Sequence, residues 1–121
     1  MAKKIGSFED LDVWKESMRL TVDVYQKLKN CKDYGFKDQI QRSAVSIPSN
    51  IAKGFERKSN KEFIQFLHIS KSSCAELRTQ LYLANELKYV EESFGINLIE
   101  RTRKISAMLY KLIKTRNEKF N

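Results

Sequence analysis

Apolar side chains recur at steps of three and four along almost the whole chain. Leu11, Trp14, Met18, Val22, Tyr25 and Leu28 form the first row, one face of an amphipathic helix. Ser7 stands before it as a cap, Asp10 lies three residues on, and acids in the first turns suit the helix dipole. The row fades at the polar run Asn30–Gly35. Phe36, Ile40, Ala44, Ile47, Ile51 and Phe55 carry the second row, with Pro48 inside it and Gly54 near its end. Pro48 removes a backbone donor and crowds the carbonyl of Ala44, which predicts a kink or a short break. The apolar phase continues across it and favours one bent helix. Ser59-Asn60-Lys61-Glu62 is a capping box that opens a third helix. Its main row is Phe63, Leu67, Ser70, Cys74, Leu77, Leu81 and Ala84, with Phe66, Ile69 and Ser73 beside it. Small residues there (Ser70, Ser72, Ser73, Cys74, Ala75) allow close approach of another helix. The fourth row is Leu98, Thr102, Ile105, Leu109 and Leu112, flanked by Ile99, Met108 and Ile113. Gly95 blurs its start, between Glu91 and Asn97, and Glu118–Asn121 reads as a frayed tail.

The pattern predicts four helices at about 8–30, 36–57, 60–88 and 93–116 in a single domain. Short links force antiparallel neighbours. The expected fold is all-α, an up-down-up-down four-helix bundle with its second helix kinked at Pro48. The apolar rows are wider than one central core needs. That width fits either a tightly packed bundle or a face used for self-association.

Composition narrows the function classes. The 121 residues hold one proline and four glycines, too few breakers for a turn-rich β fold. Cys31 and Cys74 are far apart with no CxxC, which argues against a disulfide framework or a zinc site and fits a reducing compartment. His68 is the sole histidine. No apolar run is long enough to span a membrane, and the acids after the basic start interrupt any signal-peptide pattern. A cytoplasmic protein without cofactor or metal is expected. An enzyme would need convergent groups; the serines Ser46, Ser49, Ser72 and Ser73 have only His68 as a base of the usual kind, and no glycine-rich phosphate loop exists. Cys74, on the core row, reads as a small buried hydrophobe. Ser46, Ser49 and Asn50 surround Pro48; they either bind a ligand or satisfy the backbone groups that Pro48 frees. Glu76 is placed to pair with Arg42 or Asn50.

The charge is informative. The formal net charge is +8, from 23 Lys and Arg against 15 Asp and Glu. Residues 35–58 carry five basic and two acidic side chains, and residues 91–121 seven and four. Residues 1–34 are nearly balanced at seven and six, and residues 59–90 at four and three. In an antiparallel bundle the ends of the second and fourth helices share one pole. Lys53, Arg57, Lys58 and Lys61 would meet Lys111, Lys114, Arg116 and Lys119 there. Such a pole, with Arg42, suits electrostatic capture of a phosphate backbone, RNA or DNA. The plainer reading is a solvated basic surface. Trp14, Tyr25, Phe63 and Phe66 lie on apolar rows and read as core, so base stacking is not expected.

Phe8-Glu9-Asp10-Leu11-Asp12-Val13-Trp14-Lys15 resembles the F-x-D-L-x-V-W opening of the 23S rRNA intervening-sequence protein family. Gln39–Gly54, reading QIQRSAVSIPSNIAKG, resembles the family's Q-I-R-R-A-x-x-S-I-P-x-N-I-A-E-G segment, and Lys61–Leu67 and Ala75–Leu81 its third-helix signature. The resemblance implies a small four-helix bundle that assembles as a homopentamer around a channel, with no catalytic activity. Some members are encoded within insertions in 23S rRNA genes. The related accessory variability proteins of diversity-generating retroelements are basic pentamers that bind nucleic acid and a reverse transcriptase. This chain departs from the pattern at Gln41, where arginine is usual, at Lys53, where glutamate is usual, and at Ser72, where glycine is usual. Gln41 weakens any binding scheme built on paired arginines, and Ser72 would loosen a close helix contact. The resulting expectation is a non-catalytic, nucleic-acid-binding homo-oligomer. The alternative is a homo-oligomeric scaffold for a protein partner.

Overall fold

A computed structural model describes residues 5–120. Met1–Lys4, part of the basic start, and Asn121, the end of the expected tail, lie outside the described residues. The described chain holds four helices and no strand: α1 Asp12–Lys27, α2 Tyr34–Phe55, α3 Asn60–Glu86 and α4 Glu92–Phe120. The fold is all-α.

Local chemistry sets the ends. The first helix does not begin at Ser7. Phe8–Asp10 form a short 3-10 turn in which Asp10 Oδ2 accepts from the backbone amides of Gly6 and Ser7. Leu11 is extended, and α1 starts after it. The Asp33 carboxylate caps α2 by accepting from the Phe36 amide at 3.2 Å. Ser59 caps α3 through the Glu62 amide at 3.1 Å, while the Glu62 carboxylate pairs with Arg57. α3 ends with Lys88 at φ 59, a left-handed position that glycine usually takes. The amides of Lys88 and Tyr89 donate back to the carbonyls of Asn85 and Ala84, which closes the helix end. α4 starts at Glu92, passes through Gly95, and includes Glu118 and Lys119 rather than fraying before them.

Contacts join α1 to α2, α2 to α3, α3 to α4 and α4 back to α1. Paired residues run in opposite sequence directions. Ser43 bonds Glu76, Ser46 bonds Ser73, and Ser70 donates to the Ile47 carbonyl across α2 and α3. Asn60 bonds Arg116, and Arg103 bonds Tyr82, across α3 and α4. Ser70 and Ser73 are buried at this α2–α3 crossing, but Ser72 is exposed, so no close helix contact rests on it.

The core is built from Leu20, Val24 and Leu28, from Ile40, Ile47 and Ile51, from Leu67, Leu77 and Leu81, and from Leu98, Ile105 and Leu109. The rows read for α2, α3 and α4 supply it. The row read for the first helix does so only at its ends, where Leu28 is buried and Leu11 and Trp14 pack against the core. The buried face of α1 is Val13, Ser17, Leu20 and Val24. Met18, Val22 and Tyr25 stand outside, 39%, 49% and 41% exposed. Tyr25 is therefore not core, and neither is Ile69 of the secondary α3 row.

α2 is one helix through Pro48, not two. Pro48 leaves the Ala44 carbonyl without its i+4 donor. Thr21 of α1 supplies one: its single hydroxyl proton is shared between Ala44 O at 3.1 Å and Ser17 O, the nearer acceptor, at 2.8 Å. The Asn50 side chain instead bonds the Ser46 carbonyl and hydroxyl. The expected local rescue by residues beside Pro48 thus gives way to a bond from a neighbouring helix. Thr21→Val keeps the shape and removes the donor. It should cost about 1–2 kcal/mol in urea unfolding, the penalty of an orphaned half-buried carbonyl. An unchanged midpoint would assign the rescue elsewhere.

Candidate nucleic-acid interface

The ends of α2 and α4 lie at one pole of the bundle, each packed against the start of α3 and not against each other. Arg116 Nε donates to Asn60 Oδ1 at 2.7 Å, and Asn60 Nδ2 donates to the Arg116 carbonyl at 3.1 Å. That pair ties the last turns of α4 to the α2–α3 turn. At this end of the bundle Lys53, Lys58, Lys61, Lys111 and Lys114 are all exposed, Lys111 beside the start of α1 and Lys114 between α3 and α4. Among the described residues none of these five has a carboxylate within 4.0 Å. Acids are present at this pole, Asp12 and Glu118 among them. At the opposite pole Lys88 shares its surroundings with Glu86, Glu91 and Glu92, so the charge there is mixed.

Three of the expected site residues sit differently. Arg116 is half-buried, its guanidinium 4.9 Å from the centre of the Phe63 ring, and burial lowers its pKa from the ordinary value. It fastens α4 to α3 rather than offering a free cation. Arg57 is exposed but engaged, with Nε 3.0 Å from Glu62 Oε2 and its guanidinium 5.2 Å from the Phe66 ring centre. Arg42 does not belong to the pole. It lies eleven positions before Lys53, about 16 Å along the helix at 1.5 Å per residue, in a polar groove with Gln39, Ser46 and Gln80. Glu76 lines the same groove, but its carboxylate accepts from Ser43 Oγ at 2.9 Å, and not from Arg42 or Asn50 as expected. Ser43 is buried on the side of α2 that packs on α3, whereas Arg42, one residue earlier, turns to solvent.

A second cationic feature escaped the sequence reading. His68 and Lys71 of α3 line a groove with Tyr110, Lys114 and Glu118 of α4. Tyr110 is 61% exposed. Its signal lay in the phase: it falls off the apolar row Ile105, Leu109 and Leu112, and lysines stand at 111 and 114. His68 and Lys71 come from α3, some forty residues earlier in the chain, and no local pattern brings them in.

Among the described residues, no group of three or more His, Cys, Asp or Glu is placed to hold a metal ion, and no helix is long and apolar enough to cross a membrane. Both cysteines are free. Cys74 is buried on α3, and burial pushes its thiol up to about 12 against the pull of Arg78 and Lys71. At pH 8 the thiolate is then about a thousand-fold scarcer than for a thiol at the ordinary value. A thiol reagent should modify one cysteine, Cys31, in the folded protein and the second only after denaturant is added. Fast reaction of both in the folded protein would contradict the burial of Cys74.

The profile of the 23S rRNA-intervening sequence protein family matches residues 9–111. Among solved structures, the chain is similar to a protein of unknown function from the S23 ribosomal protein family of Bacteroides thetaiotaomicron. The two are 26% identical, with a TM-score of 0.79, over 85% of this chain and 99% of that one. Among curated proteins, no sequence matches the chain. The motifs at Phe8–Lys15 and Gln39–Gly54, the four helices and the matched span agree: the chain belongs to the 23S rRNA-intervening sequence protein family.

Proposed function

We propose that this protein is a non-catalytic homo-oligomer that binds nucleic acid through its basic pole. The observation that carries the reading is the set of exposed lysines, Lys53, Lys58, Lys61, Lys111 and Lys114, with no carboxylate within 4.0 Å among the described residues. Cations left unpaired on a protein surface are available to replace the counterions of a phosphate backbone. Arg42, Arg57 and Arg116 take supporting parts, since two of them are engaged within the fold and the third lies along α2. Such binding is strong at low salt and weakly selective for sequence. The test is an anisotropy titration of a labelled structured RNA and a labelled duplex DNA at low salt. Binding of either supports the reading. Binding of neither overturns it.

One observation favours a second reading, a scaffold for a protein partner. Met18, Val22 and Tyr25 leave an apolar row open along α1. The same row suits self-association, for which the family resemblance suggests a pentamer. Under the scaffold reading, charge changes at Lys58 and Lys61 leave the working surface intact.

A further inference from the structure

Tyr110 is the feature that the basic pole does not explain. It is 61% exposed, yet it sits on a helix whose other large apolar residues at this level, Leu109 and Ile113, are buried. Among the described residues its ring makes no aromatic or cation contact and its hydroxyl no hydrogen bond. Of the other four tyrosines, Tyr89 donates to Asp33 Oδ2 and Tyr82 accepts from Arg103, while Tyr25 and Tyr34 are exposed like Tyr110 but do not share its groove. Tyr110 instead lines a groove between α3 and α4 with His68, Lys71 and Lys114. Ile113 gives that groove an apolar floor, and Glu118 is its one carboxylate.

An open aromatic face beside two lysines is the combination that single-stranded nucleic acid needs. A base can stack on the ring only if it is not already stacked in a duplex, and the neighbouring phosphates require cations within reach. A folded protein surface would also cover an exposed ring, but it would not ask for the two lysines and the histidine around it. We infer that the α3–α4 groove binds a single-stranded segment of nucleic acid, with one base stacked on Tyr110 and the adjoining phosphates held by Lys71 and Lys114. His68 offers a ring nitrogen to the same nucleotide. Glu118, eight residues beyond Tyr110 on α4, disfavours a phosphate beside it and sets the limit of the site. The inference rests on the proposed nucleic-acid binding and adds to it a preference for unpaired strands.

The experiment compares a labelled oligothymidine with a labelled DNA duplex of the same length, titrated with the full chain. Wild type, Tyr110→Ala, Tyr110→Phe and Lys71→Gln are measured at one low salt concentration. Loss of one stacked base is expected to weaken single-strand binding about five-fold or more in Tyr110→Ala. Tyr110→Phe keeps the ring and should retain affinity, Lys71→Gln should weaken the single strand, and duplex binding should be unchanged by Tyr110→Ala. Equal affinity of wild type and Tyr110→Ala for the single strand overturns the groove site while leaving capture at the pole intact. No binding of either probe by wild type overturns both. Light scattering is run on each variant. A change of oligomeric mass in Tyr110→Ala would assign the ring to a contact between copies and overturn its role in stacking.

Discussion

Replacing Gly54 by alanine is expected to destabilise the fold by about 2 kcal/mol, although alanine is the better helix former by about 1 kcal/mol. Gly54 is buried in the last turn of α2. A Cβ there would lie 2.6 Å from the Phe66 Cβ, 3.0 Å from Phe63 Cδ1 and 3.3 Å from the Phe63 carbonyl oxygen. Two of these atoms are backbone or the first side-chain carbon, which cannot swing away. α2 and α3 would have to separate at this close crossing, and Phe63 would lose its edge-on contact with Phe55, now at a ring separation of 5.7 Å. Thermal unfolding should show a midpoint lower by roughly 5–10 °C. An unchanged or raised midpoint would mean that helix propensity outweighs the contact. Gly95 is also tight, because its virtual Cβ falls on the partly buried Asn85 amide group, which would have to move.

Reversing Lys58 and Lys61 together to glutamate should lower affinity for a nucleic acid at least ten-fold at low salt, and reduce the salt slope by about 2. Both residues are exposed, and neither makes an ion pair among the described residues. Lys61 stands in the first turn of α3, where a carboxylate suits the helix dipole. The double variant should therefore melt at or above the wild-type temperature, which separates lost binding from lost folding. Arg57 is the poorer choice for this test, because its removal would also free Glu62. Full affinity in the double variant would move the working surface away from the pole and favour the scaffold.

Most of the fold was legible because three of the four helices carry a single dominant apolar row. In α3, Phe63, Leu67, Cys74, Leu77 and Leu81 are both the longest row in the sequence and the buried face. α1 carries two rows. The one with the larger side chains, Trp14, Met18, Val22 and Tyr25, is the more conspicuous, yet the buried face is Val13, Ser17, Leu20 and Val24. Periodicity alone cannot choose between two rows on one helix, and the serine hid the right one. Pro48 was read from local rules, which look for a donor within a turn. The donor that serves Ala44 is Thr21, on another helix and 23 residues away. From sequence Gly54 is only a glycine near the end of the second helix; its burial against Phe63 and Phe66 shows only in three dimensions. The basic pole was legible as charge density. Which cations are free was not, since the Asn60–Arg116 and Arg57–Glu62 pairs depend on side-chain geometry.

The most direct test of phosphate capture at the basic pole is the affinity of the wild-type protein for a structured RNA, measured across salt. Counterion release requires the logarithm of the association constant to fall linearly with the logarithm of salt concentration, with a slope of about −2 or steeper for three or more phosphate contacts. An affinity that stays level as salt rises would contradict it.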